Sequence, residues 1–210
     1  MKKTILIFFT LFTCAFLSAQ NSQSLESICA SLAAKKNTTG DFTQTKTIKT
    51  NNRKLKSSGE YIICPQGILW KTTKPLPVSL ILTEDTMIQI APNGNKSVMS
   101  GKDNDVFSNI SEVLSSVFCG NVDALKKNFN CKFQMTGSSE WTLELEPKDS
   151  TIASVMKTLL LSGIISDANG AEMKSLLMTE ASENTITYEF TNQKYPKELS
   201  ADEKQNFVFK

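Results

Sequence analysis

The stretch GDFTQTKTIKTNNRKLKSSGEYIICPQGILWKTTKP (residues 40–75) decides the fold class. Phe42, Gln44, Lys46 and Ile48 alternate with threonines and Lys49, the period of two that a strand shows when one of its faces is covered. The polar run TNNRKLKSSG (50–59) then makes a turn. GEYIICPQGILWKT (59–72) reads as two strands folded about Pro65-Gln66-Gly67, ending near Trp70 in a run with almost no charge.

Working outward from there, LPVSLILTED (76–85) and TMIQIAPNGNKSVMS (86–100) continue a meander, with Asn93-Gly94 as a strong hairpin turn. On the N-terminal side, SQSLESICASLAAKK (22–36) sets Leu25, Ile28, Cys29 and Leu32 at helical spacing, a first amphipathic helix ending near Asn37. On the C-terminal side the period breaks. DNDVFSNISEVLSSVFCGNVDALKKNF (103–129) places Val106, Ile110, Val113, Leu114, Val117 and Phe118 on one helical stripe, started by Asp103 or Asn104 and stopped by Gly120. A short helix over 122–129 follows. Strands return at CKFQMTG (131–137), SEWTLELEP (139–147), SVMKTLLLSG (154–163), AEMKSLLMTEA (171–181) and NTITYEFTNQ (184–193), with QNFVFK (205–210) as a last short one and YPKELSADEK (195–204) as a charged, exposed connector.

The reading is mainly β, of α+β type: a curved antiparallel sheet forming an unclosed half-barrel, with a helical lid over an apolar cavity. Alternation puts Phe42, Ile62, Trp70, Leu80, Leu82, Met87, Phe133, Met135, Trp141, Leu143, Leu177, Ile186, Tyr188 and Phe190 on one face. A face rich in Met, Phe and Trp suits a lipid cavity, because flexible thioethers and broad rings adapt to varied chains. Ile110, Leu114, Val117 and Phe118 belong to the lid, with Leu114 and Phe118 as gates. The other face is expected to stay wet.

The chain opens with MKKTILIFFTLFTCAFLSAQ: two lysines, an apolar run over 5–17 and small residues at Ser18 and Ala19. Residues 1–19 read as a cleaved secretory signal peptide, and 20–210 as a single exported domain. Removing the signal takes away Lys2 and Lys3 and no acidic residue, so the 23 basic and 21 acidic residues of the whole chain become equal in number. A nucleic-acid partner would require a basic surplus, and none exists. Four cysteines survive export; Cys119 with Cys131 would close a short loop, while buried free thiols fit equally well.

Histidine is absent, which removes the usual general base and the commonest metal ligand. No phosphate-binding glycine loop follows a strand. The acidic pairs Glu84-Asp85, Asp103 with Asp105, and Glu144 with Glu146 fall in turns or on a polar strand face and read as solvated surface. Neither an enzyme nor a cofactor is expected.

GDFTQTK (40–46), SSGEYIICPQGILWKTTKPLP (57–77), the stretch over 107–141 and the P-x-D at Pro147 to Asp149 resemble, in order, the LolA-like periplasmic carriers; GILWKTTKP is close to a LolA-related subgroup. The resemblance implies an unclosed barrel under a helical lid that shields the acyl chains of lipoprotein, or of related lipid-linked cargo, between inner and outer membrane. It further implies a periplasmic monomer served by an inner-membrane donor complex and an outer-membrane acceptor. In the best-studied branch an arginine before the proline is thought to hold the lid shut. Here that position is Cys64, and a thiol is a poor donor, so the same latch is excluded. The competing reading is a periplasmic sensor or adaptor of the same fold that binds a protein partner.

Overall fold

The computed structural model describes residues 23–83, 86–100, 116–117 and 120–208. Helix α1 (Leu25–Ala33) is followed by strands β1 (Thr38–Thr47), β2 (Lys54–Cys64), β3 (Gly67–Lys74), β4 (Val78–Leu82), β5 (Thr86–Ile90) and β6 (Lys96–Ser100). Helix α2 (Val122–Asn128) then leads into β7 (Phe129–Met135) and β8 (Glu140–Pro147). Helix α3 (Ser150–Ala153), β9 (Met156–Ser166), β10 (Gly170–Glu180), β11 (Thr185–Lys194) and α4 (Ala201–Gln205) complete the described chain.

The local chemistry accounts for these boundaries. Ser24 caps α1 through a capping box with Ser27, and four apolar residues bury one side of that helix. Asn121 accepts from Ala124 N–H at the start of α2, and Asp149, the last residue of the P-x-D motif, accepts from Thr151 and Ile152 N–H at the start of α3. Pro65 and Gln66 turn β2 into β3, and Gly94 takes the positive φ that the loop between β5 and β6 requires.

All eleven strands form one curved antiparallel sheet in the order β6-β5-β4-β3-β2-β1-β11-β10-β9-β8-β7. Strand β1 pairs with β11 over Asp41–Thr47, joining the meander β1 to β6 to the meander β7 to β11. The barrel stays unclosed, with β6 and β7 as its edges. The segment expected as a lid, VFSNISEVLSSVF (106–118), falls between these edges in sequence. Ile110, Leu114 and Phe118 lie outside the described residues, as do Cys119, Asp103 and Asp105. Ser116 and Val117 are helical and buried.

One large apolar cluster fills the inner face. It joins Phe42, Tyr61, Ile68, Leu82 and Met87 from β1 to β5, Trp141, Leu143, Leu145, Leu159 and Leu161 from β8 and β9, and the apolar sides of α1 and α2. Side chains of this kind contribute roughly 1.5–3 kcal/mol each when fully buried, so this cluster holds the sheet in its curve.

The outer face is not uniformly wet. Ile62, Cys64, Leu69, Ile81 and Ile88 make a second buried cluster, covered by Leu199 and packed against Ile90 and Phe207. Two expectations are corrected by this. The segment 195–204 is no simple exposed connector, since Leu199 is 5% exposed and Ser200 caps α4. Residues 201–205 are helical, and no strand forms over 205–208 among the described residues. A capping box between Ser200 and Glu203 favours the helix locally, and Leu199 and Phe207 anchor it on the sheet.

Candidate functional site

The inner face of β1, β2, β3 and β11 carries an aromatic nest. Register creates it: Trp70 on β3 stands opposite Tyr61 on β2 and Leu80 on β4, while Phe42 on β1 stands opposite Phe190 on β11. The Trp70 ring lies 5.4 Å from Phe42, 5.7 Å from Tyr61, 5.3 Å from Tyr188 and 5.8 Å from Phe190, in tilted, stacked and edge-on arrangements. Trp70 and Tyr188 are half-buried, and burial pushes the Tyr188 phenol up to about 12. The Trp70 indole Nε1 is buried and has no hydrogen-bond partner among the described residues.

Tyr61 and Phe190 also wall a solvent-open cleft of about 260 Å³ between α1 and the sheet, completed by Leu32, Lys35, Thr38, Met173, Gln193 and Tyr195. Its polar rim is ordered. Lys35 Nζ donates to the Ala171 carbonyl and lies 4.2 Å from the centre of the Tyr195 ring. Tyr195 donates to Gln193 Oε1 at 2.8 Å. Burial lowers the Lys35 ammonium pKa, Glu172 opposes that shift, and Lys174 adds to it. The cleft is open to solvent and encloses little more than the room of one water, far below the ~300–1,000 Å³ usual for drug-sized ligands.

Of the residues expected on this face, Phe42, Trp70, Leu80, Leu82, Met87, Phe133, Met135, Trp141, Leu143, Tyr188 and Phe190 do share it, all of them in or against the main cluster. Ile62 and Leu177 do not. Ile62 belongs to the outer cluster, and Leu177 sits between Leu176 and Met178, which are the two that face inward. Both errors have one cause. In YIIC (61–64) and SLLM (175–178) consecutive positions are apolar, so alternation is silent and the pairing register alone decides the facing. Tyr61 was missed for the same reason, whereas Ile68, two positions before Trp70, and Met173, between Glu172 and Lys174, were legible from alternation. Of the expected lid residues only Val117 is described, and it is 1% exposed within the main cluster.

Of the two alternatives for the cysteines, free thiols are what the described residues hold: Cys131 is a free thiol with its Sγ 3.6 Å from the Phe129 carbonyl, and Cys119 lies outside the described residues. Cys29 is free and fully buried; burial first, then Glu26 and Cys131, pushes its thiol up to about 11. Cys64 lies on the outer face with its Sγ 3.5 Å from the Gly67 carbonyl. The acidic pair on β8 faces outward, where Glu144 lies 3.6 Å from Lys132.

A family model described as outer membrane lipoprotein carrier protein LolA matches residues 34–210. The chain belongs to the LolA family. No curated protein matches it. Among solved structures it is similar to a LolA superfamily protein from Nitrosomonas europaea, at 8% identity and a TM-score of 0.46, covering 87% of this chain and 98% of that one. It is also similar to a structure described as an outer membrane lipoprotein-sorting protein domain from Vibrio parahaemolyticus, at 8% identity and a TM-score of 0.46, covering 87% and 97%. The lipoprotein LppX of Mycobacterium tuberculosis is a third, at 10% identity and a TM-score of 0.41, covering 84% and 98%. At such scores the family match carries the assignment by itself. The LolA-family fold is a carrier and binding fold, and no helix among the described residues is long and apolar enough to cross a membrane.

Proposed function

We propose that this protein is a non-enzymatic periplasmic carrier, exported by a cleaved signal peptide, which shields the acyl chains of lipoprotein or related lipid-linked cargo between inner and outer membrane. The observation that carries the reading is the inner face itself. Half-buried Trp70, Leu80, Phe133, Met135 and Tyr188 pack on a deeper core without belonging to it. A cargo chain left in water costs ~0.8 kcal/mol per CH₂, so transfer between membranes needs such a shield. In the described arrangement the rings cover one another, which suits the empty state of a carrier. Loading then parts the Trp70 nest from the α1 side, and release lets the rings close again.

The test is native mass spectrometry of the protein purified gently from the periplasm. An added mass matching an acylated lipid or lipoprotein is expected. It should be lost or reduced at least several-fold in Leu80→Gln, a change at a half-buried position. A protein that carries no acyl mass, and takes up none from vesicles of phosphatidylethanolamine and phosphatidylglycerol, would sink the carrier reading. A defined protein partner bound in its place would favour the sensor.

A further inference from the structure

The two tryptophans of the inner face differ in one respect. Trp141 Nε1 donates to the Ile164 carbonyl at 3.3 Å, while Trp70 Nε1 is buried without a partner among the described residues. An indole N–H is a donor only and cannot be satisfied by turning into an acceptor. Buried donors are nearly always paired, and one left open on a binding face calls for a partner that arrives later.

The surroundings say what that partner is. Trp70 is ringed by Phe42, Tyr61, Tyr188 and Phe190 at 5.3–5.8 Å, an environment that welcomes hydrocarbon and offers few acceptors. Two of those rings, Tyr61 and Phe190, form the inner wall of the cleft beside α1, so the open donor lies one ring contact from the way in. A ligand suited to both features is apolar along its length and carries a neutral acceptor at one point. An anionic head would have to desolvate beside four rings, and it has a better place at the rim near Lys35. We infer that Trp70 Nε1 donates a hydrogen bond to the carbonyl oxygen at the head of an acyl chain, ester or amide, so that the protein selects acyl over alkyl ligands. The inference rests on the carrier reading and names the ligand chemistry of that face.

The experiment compares two probes of equal chain length, a diester phosphatidylglycerol and its diether analogue, which lacks both carbonyls. Each is titrated into the delipidated full mature protein. A neutral hydrogen bond of ordinary strength gives wild type an ester preference of about five-fold, and Trp70→Phe reduces the ratio to about one. The ratio is read within each variant, so any loss common to both lipids drops out. In wild type the Trp70 indole cross-peak in a ¹H–¹⁵N spectrum should move downfield with the diester and stay with the diether, while the Trp141 cross-peak holds. This second readout does not depend on the variant folding. Equal binding of both lipids by wild type, or a preference that survives Trp70→Phe, overturns the inference and leaves the carrier standing. Failure of wild type to bind either lipid overturns both.

Discussion

At the scale of single residues, packing is close on the β8–β9 side of the sheet. Gly163 stands opposite Trp141, and a Cβ there would lie 2.0 Å from the Glu172 carbonyl oxygen and 2.4 Å from the Trp141 ring. Its φ is not in the left-handed region, so glycine is required by space and not by backbone freedom. Neither contact can yield cheaply, because one is backbone and the other a ring that is 1% exposed. Gly163→Ala should therefore lower stability by about 2–3 kcal/mol, read from urea denaturation followed by circular dichroism. A loss below about 0.5 kcal/mol would mean that the Trp141 ring has room to move. The same ring keeps its indole N–H paired, in contrast to Trp70. On one sheet face, then, one tryptophan is built in as core, and the other has no partner for its indole N–H among the described residues.

At the scale of elements, the second cluster shows how a sheet with two apolar faces avoids exposing the outer one. Ile62, Leu69, Ile81 and Ile88 would form an exposed apolar strip on β2 to β5 if the segment after β11 did not cross them. Leu199 is the anchor at 5% exposure, and α4 holds its place through the Ser200–Glu203 capping box. Leu199→Ala should cost about 2–3 kcal/mol and raise binding of an apolar dye. Leu76, at 64% exposure, supplies the comparison: Leu76→Ala should be near neutral. Equal effects of the two substitutions would show that the tail does not seal the strip. Helix α1 is tied down differently. Glu26 meets Lys126 of α2 at 2.6 Å, Ser31 Oγ accepts from Ala171 N–H at 2.8 Å, and Lys35 reaches the Ala171 carbonyl. Exposed pairs such as Glu26–Lys126 contribute little to stability, so these contacts orient the helix more than they stabilise it.

At the scale of the whole molecule, titration shapes the stability curve. Burial raises the Glu180 pKa, yet hydrogen bonds from Lys46, Asn184 and Ser182 outweigh it and hold the carboxyl below its ordinary 4.5. Glu172 is likewise raised by burial and lowered further by Ser166, Asn169 and Lys174. A carboxyl depressed in the folded state stabilises fully above its ordinary value, and that contribution is lost as pH falls through the folded one. The alkaline side has the opposite sign. The Cys29 thiol rises from 9.0 to about 11 and the Tyr188 phenol from 10.0 to about 12, both through burial first. Their contribution is complete below the ordinary values and declines as pH climbs toward the folded ones. The urea midpoint should thus be flat between about pH 5 and pH 8.5 and fall on both sides. Glu180→Gln should flatten the acid limb in part. An acid limb unchanged by that substitution would show that Glu180 is not a source of the decline.

The sequence by itself determined what depends on spacing along the chain. Alternation from Phe42 to Phe190 marked most strands, helical spacing from Leu25 to Leu32 marked the first helix, and Asn93-Gly94 and Pro65-Gln66 marked turns, because each is a local rule of backbone geometry. The same periodicity brought most of the aromatic nest onto one face, and the ordered motifs resemble the LolA family that the match over residues 34–210 shows. Tertiary structure alone decided what depends on pairing. The contact of β1 with β11 places the barrel's opening at β6 and β7, and no local signal in either strand carries it. Register turned Ile62 and Leu177 outward and Tyr61 and Leu176 inward within runs where every position is apolar. The covering of the outer strip by Leu199, and the open hydrogen bond of Trp70 beside the satisfied one of Trp141, have the same origin. They are set by which distant strands meet, and hydrophobic pattern is blind to that wherever both faces of a strand are apolar.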